Sequence, residues 1–272
     1  MGGHLSNVQG FDREIVEAIK EQYLPVGTNS IVPKKPFSIT LSLADRIDTL
    51  VGFFGIKEKP SSSKDPYALR RVALGIIRIL IENKKDIKIY NLISNLLNIY
   101  LDQGFDFSND SLINDISNFL NDRLKYYCKE KNLRHDIIEA ATKSLDLNKI
   151  STTYEKAKSF NKIINKPIGE DIVSSYKRAS NIINSEVKNI NEDLSNTTDP
   201  GIFKNDFEKA LFKKTKQLKL YFSEVSSKQN YDETLVFLAS AKKYVFDFFD
   251  NVKVNDENEI VKKNRLELLN FF

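Results

Sequence analysis

The stretch SLADRIDTLVGFFGIKEKPSSSKDPYALRRVALGIIRILIE, residues 42–82, decides the fold class. Its first part places Leu43, Ile47, Leu50, Val51 and Phe54 three and four residues apart, the apolar stripe of an amphipathic helix. Asp45 and Asp48 sit three apart on a neighbouring face. Pro60 and the three serines after it interrupt the pattern with a loop. Asp65 is a natural N-cap, and Pro66 suits the first helical position, where its missing N–H costs nothing. The helix that follows is expected to bury Leu69, Val72, Ala73, Ile76, Ile77 and Leu80. Arg71, Gly75, Arg78 and Glu82 share a different face, where Gly75 removes a side chain and lets another backbone or a nucleic acid come close.

The same periodicity runs outward in both directions. It predicts helices over 11–24, 87–101, 110–131, 134–143, 154–165, 169–193, 203–225, 231–249 and 256–272, with no strand pattern anywhere. Only 10 Gly and 7 Pro punctuate 272 residues, which disfavours turn-rich β architectures. The fold class read from the residues is therefore all-α. Composition turns polar around 144–153, and a domain boundary is placed there, giving units 1–150 and 151–272. The apolar terminal stretch RLELLNFF has no cap or stop signal, so the chain reads as a fragment, truncated at its C-terminus.

Composition bounds function. Lys plus Arg is 41 against 37 Asp plus Glu, a net charge of +4, too mild to prove nucleic-acid binding. One Cys and two His exclude a disulfide framework and a Cys/His-rich zinc site, and fit a reducing cytosol. No apolar run approaches the roughly 20 residues of a membrane helix, and the N-terminus lacks a signal-peptide pattern. Asp45 and Asp48 invite a metal-ligand reading, but ion pairing of Asp45 and Asp48 with Arg46, Arg70, Arg71 or Arg78 is preferred. Arg71 and Arg78 are equally well read as phosphate binders or as members of those ion pairs. The dipeptide His135–Asp136 reads as a helix start with an acid near the positive dipole end. Cys128 reads as a buried or half-buried thiol. There is no phosphate-cradling glycine loop and no Gly-x-Ser-x-Gly elbow. Residue chemistry alone stops at an all-helical binding module.

Three stretches carry more. ADRIDTLVG at 44–52 and SKDPYALRR at 63–71 resemble the strongest signature of the bacterial glycyl-tRNA synthetase beta subunit family. DRLKYYCKEKNLRHDIIEA at 122–140 is similar to a second signature. YKRASNI at 176–182, FFDNVKV at 248–254 and NRLELL at 264–269 resemble the family's anticodon-binding end. With EAIKEQYLPVG at 17–27, the resemblance covers nearly the whole chain.

The resemblance implies an HD-like helical domain followed by a helical-bundle anticodon-binding domain like that of arginyl-tRNA synthetase. It implies a cytoplasmic α2β2 ligase whose alpha subunit carries the class II site for glycine, ATP and Mg. No catalytic residue, metal or cofactor is then expected on this chain. Asp45 stands where HD enzymes place their last metal-binding Asp, with the earlier ligands before Met1 or missing. The chain is expected to hold tRNA(Gly), with Lys64, Arg71, Arg78, Lys177, Arg178, Asn181, Asn251, Lys253, Asn264 and Arg265 as candidate contacts. Position 253 is Lys where the family is expected to have Met. Asp45, Asp48 and Arg70 are the structural ion-pair candidates, and for Arg178 and Arg265 the structural alternative is a bridge to Asp250 or Glu267. The competing functions are an HD-type phosphohydrolase using Asp45 and a purely structural scaffold for subunit contact.

Overall fold

The computed structural model of the chain describes residues 1–27, 29–105, 107, 110–143, 145–190, 194, 197–225 and 230–271. The described residues hold helices and no strand, so the fold is all-α. They divide into two compact units, Met1–Lys158 and Ser159–Phe272. Residues 191–193 and 272, the far ends of two expected helices, lie outside the described residues.

The first unit is built from α1 (Gly2–Val8), α2 (Arg13–Glu21), α3 (Pro36–Gly55), α4 (Leu69–Glu82), α5 (Ile89–Asp102), α6 (Asp110–Glu130) and α7 (His135–Thr142), and the division falls inside α8 (Ile150–Ile163). α3 is central: it packs on α2, α4, α5 and α6, and α4 packs on α6. The stripe read from the sequence is the stripe that is buried, except that Val72 is only half-buried. Leu50, Val51, Phe54, Ile76, Ile77 and Leu80 are all inaccessible to solvent or nearly so. Gly75 and Arg78, on the reverse of α4, are buried too, so this helix is enclosed on more than its apolar stripe.

Two starts differ from expectation. The opening residues, which precede the first helix expected at 11–24, form α1 against α2. Gly3 explains the fit: a Cβ there would stand 2.3 Å from Lys20 Cγ and 3.1 Å from the Val16 carbonyl oxygen. A glycine pair argues against a helix by propensity, and here it is what lets two helices meet. α4 begins at Leu69, not at Pro66. Asp65 still caps it, accepting from the Leu69 and Arg70 amides at 2.8 and 3.0 Å. It does so across a turn closed by Ala68, whose φ of 54° is left-handed.

The second unit holds α9 (Pro167–Ile190), α10 (Asp206–Val225), α11 (Tyr231–Ala239), α12 (Lys242–Asn251) and α13 (Glu259–Phe271). α9 packs on α11, α12 and α13, and α10 packs on the same three. Their core includes Leu211, Val245, Phe248, Leu266 and Leu268. The helix expected over 231–249 is broken at Ser240, whose hydroxyl donates back to the Phe237 carbonyl.

Two outcomes are expected. Ile77→Ala should cost about 2–5 kcal/mol in urea denaturation, against at most about 0.5 for the exposed Ile99→Ala. Burial pushes the Cys128 thiol up to about 12. The folded state therefore favours the neutral thiol, and this contribution to stability is lost as pH rises above the roughly 8.5 of an unfolded Cys. A disulfide reagent at pH 8 should leave Cys128 unmodified until urea unfolds the chain.

Candidate nucleic-acid interface

The basic residues of the sequence reading fall into two groups once burial is known. In the first unit, Arg78 is buried on α4 and fully engaged. Its Nε donates to Glu82 at 2.7 Å, Nη1 to the Gly27 carbonyl at 2.7 Å and Nη2 to the Ser30 carbonyl at 2.6 Å. The fold, not a phosphate, satisfies it. Arg46 is buried beside it, with Nη2 donating to the carbonyls of Tyr23 and Pro25 at 2.8 and 3.1 Å. Burial pushes this guanidinium below its ordinary value, and it stays charged. Gly75 is open for Arg46 rather than for a nucleic acid: a Cβ there would lie 2.9 Å from the Arg46 Cζ.

The expected ion-pair network of Asp45, Asp48 and Arg70 does not form. Asp48 accepts from the Tyr100 hydroxyl at 3.0 Å. Burial, and then that hydrogen bond, push Tyr100 up to about 12. Arg70 reaches the Ser61 carbonyl, and Asp45 is exposed with no ion pair among the described residues. The reason is geometric: Arg46, the natural partner, turns inward to the loop carbonyls. Among the described residues no three His, Cys, Asp or Glu side chains converge as a metal-ligand set.

Arg70, Arg71 and Arg78 line a cleft of about 640 Å³ together with Arg123 and Tyr126 of α6, Leu74, Gly75 and the 25–27 loop. Arg123 and Tyr126 were not singled out in the sequence. They stand three apart in DRLKYY, a helical spacing, but nothing in one dimension shows that α6 brings them to α4. Lys64 is exposed in the turn before this cleft, its amide donating to Ser61 Oγ at 3.1 Å.

The second unit sorts in the same way. Asn205 and Glu208 form a capping box at the start of α10: Asn205 Oδ1 accepts from the Glu208 amide at 3.0 Å, and Glu208 Oε2 accepts from the Asn205 amide at 2.9 Å. The other carboxylate oxygen of Glu208 receives Arg265 Nε at 2.6 Å. Arg265 Nη1 donates to the Lys253 carbonyl and to Asp256, each at 2.8 Å. With its side chain 5% exposed, Arg265 is a fold residue, and its partner is Glu208, not Glu267. Asn264 is likewise buried, exchanging both amide groups with the Asp199 backbone at 2.8 and 3.0 Å. Neither Arg265 nor Asn264 is presented to a ligand.

Arg178 does bridge to Asp250, at 2.8 Å, and its guanidinium lies over Phe246 and Phe249 at 4.8 and 5.0 Å. This fixes α9 against α12. Asn251 is exposed, but its amide nitrogen is held by the Asp247 carbonyl at 2.8 Å. Lys177 and Asn181, one helical turn apart on α9, are exposed, and so is Lys253. Tyr176 beside them is 67% exposed.

The family model of the glycyl-tRNA synthetase beta subunit matches residues 1–143, and that of the DALR anticodon binding domain matches residues 172–272. The chain belongs to the glycyl-tRNA synthetase beta subunit family. It is 35% identical over 271 residues to the glycine–tRNA ligase beta subunit of Rickettsia prowazekii, 34% over 269 to that of Clostridioides difficile and 31% over 270 to that of Cereibacter sphaeroides. Each alignment covers 99% of this chain but only 38–39% of the relative, so the chain spans about two fifths of the length of the curated relatives it matches.

Arg265→Met should cost about 3–5 kcal/mol in urea denaturation, because it strands the buried Glu208 carboxylate. Arg178→Gln, which loses a part-exposed pair, should cost about 1 kcal/mol or less.

Proposed function

We propose that this chain is the tRNA-holding part of a glycine–tRNA ligase beta subunit, and that residues 172–272 take the anticodon loop of tRNA(Gly). The observation that carries the reading is the DALR anticodon-binding match over the unit whose exposed α9 face presents Lys177 and Asn181. Glycine codons are GGN, so every glycine anticodon ends in two cytosines. An Asn amide can pair with a cytosine edge, and a Lys can hold the adjoining phosphate. An exposed Tyr such as Tyr176 offers a face for a splayed base. In this reading Lys177, Asn181 and Lys253 touch RNA, while Arg178 and Arg265 set the positions of the elements that carry them. The chemistry, with ATP and Mg, belongs to the class II site of an alpha subunit in a cytoplasmic α2β2 assembly, and this chain contributes no catalytic residue.

Replacing the two anticodon cytosines of glycine tRNA should weaken its binding to this chain, and unchanged affinity would overturn the anticodon role. Asn181→Ala should cost about 1–3 kcal/mol of tRNA affinity with the salt slope kept, whereas Lys177→Gln should flatten the slope by about 1. A fold-only role for either residue predicts no change in filter-binding titrations across salt.

A further inference from the structure

The cleft in the first unit has a composition that its family membership does not assign. Among the described residues its lining holds four arginines, Arg70, Arg71, Arg78 and Arg123, and no Asp or Glu. Arg78 is neutralised outside it by Glu82. The other three have no carboxylate partner among the described residues, and Arg70 has only the Ser61 carbonyl. Arg123 is the most telling. Its Nε is buried and donates to nothing among the described residues. Its guanidinium lies over the rings of Phe119 and Tyr126, 5.9 and 5.7 Å from their centroids. The Nε itself is out of reach, but a guanidinium that lines a cavity with no carboxylate partner leaves its outer donors for an anion. Guanidinium forks match phosphate oxygens, and a volume of about 640 Å³ lies within the range of small-ligand sites. At the rim Tyr126 is 43% exposed, a flat apolar face next to the charge, with Leu74 as an apolar wall.

We propose that this cleft binds a nucleotide, its phosphate on Arg71 and Arg123 and its base on the Tyr126 ring. The phosphate is that of a free nucleotide, a ligand distinct from the tRNA that the chain is proposed to hold. The claim is independent of the anticodon reading, because it concerns the first unit alone.

The test uses the whole chain with three probes: AMP, adenosine, and a glycine tRNA whose two anticodon cytosines are replaced. Arg123→Gln and the exposed Arg71→Gln should each weaken binding of AMP about tenfold. Tyr126→Ala should weaken it at least about fivefold while Tyr126→Phe keeps it. Thermal melting of each variant separates lost contacts from lost folding, and Arg71→Gln, on the exposed rim, leaves the core untouched. AMP binding that is lost in these variants assigns the site to a free nucleotide. A loss confined to tRNA, with the salt slope falling by about 1, would overturn the proposal, because it gives these arginines to the backbone of the tRNA instead. Adenosine binding as tightly as AMP, or AMP binding the variants like the parent chain, would overturn the proposal.

Discussion

A guanidinium taken out of water keeps its charge and its five donors, and it is tolerated only where acceptors surround it. Helices use their own carbonyls for their own amides, so in an all-helical chain the spare acceptors lie in the connecting segments. Three buried arginines answer that constraint through loop carbonyls, although the Arg46 Nε finds no acceptor among the described residues. Arg46 holds the carbonyls of Tyr23 and Pro25, Arg78 those of Gly27 and Ser30, and Arg265 that of Lys253. In each case a side chain rooted in a packed helix fixes a stretch that has no regular hydrogen bonds of its own. The arginines thereby do for the connectors what the Leu and Ile stripe does for the helices.

This division of labour decides which cations remain for a partner. Arg78 and Arg265 looked, from charge alone, as apt for phosphate as Arg71 and Lys177. Their acceptors are within the chain, and a residue whose donors are already met has little to offer RNA. Exposure leaves Lys64, Arg71, Lys177 and Lys253 facing water. A mild net charge of +4 is no obstacle, since a few unpaired cations on either unit can steer an anion locally.

Helix positions were largely legible because period 3.6 is local. The stripe of α3 and α4 needs no knowledge of its neighbours to be read. The misses have local reasons that only tertiary structure resolves. Gly2 and Gly3 argue against a helix by propensity, yet α1 exists because Gly3 fits against Lys20 and Val16. Ser240 in the middle of an apolar run gave no warning of the break between α11 and α12. The site was less legible than the fold, because a sequence shows charge but not burial. Glu208 and Arg265 are far apart in the chain, and only packing reveals that one closes a capping box and receives the other. Arg123 was invisible as a partner of Arg71 for the same reason.

The coupling between fold residues and surface residues sets how mutational data on this protein must be read. Arg178, lying over Phe246 and Phe249 and paired to Asp250, sets α9 against α12. Arg265, through the Lys253 carbonyl, sets the backbone that carries the Lys253 side chain. A change at either arginine displaces exposed groups that it does not itself present to solvent as a free cation. Its effect on RNA affinity would come with lost stability, while its own charge was already balanced by Asp250, or by Glu208 and Asp256. A charge balanced within the fold releases few counterions from RNA, so the salt dependence stays close to that of the parent chain. A solvent-facing lysine does the opposite: it leaves stability alone and changes the salt dependence. Affinity alone cannot separate the two classes, but affinity measured against salt, beside a denaturation curve, can.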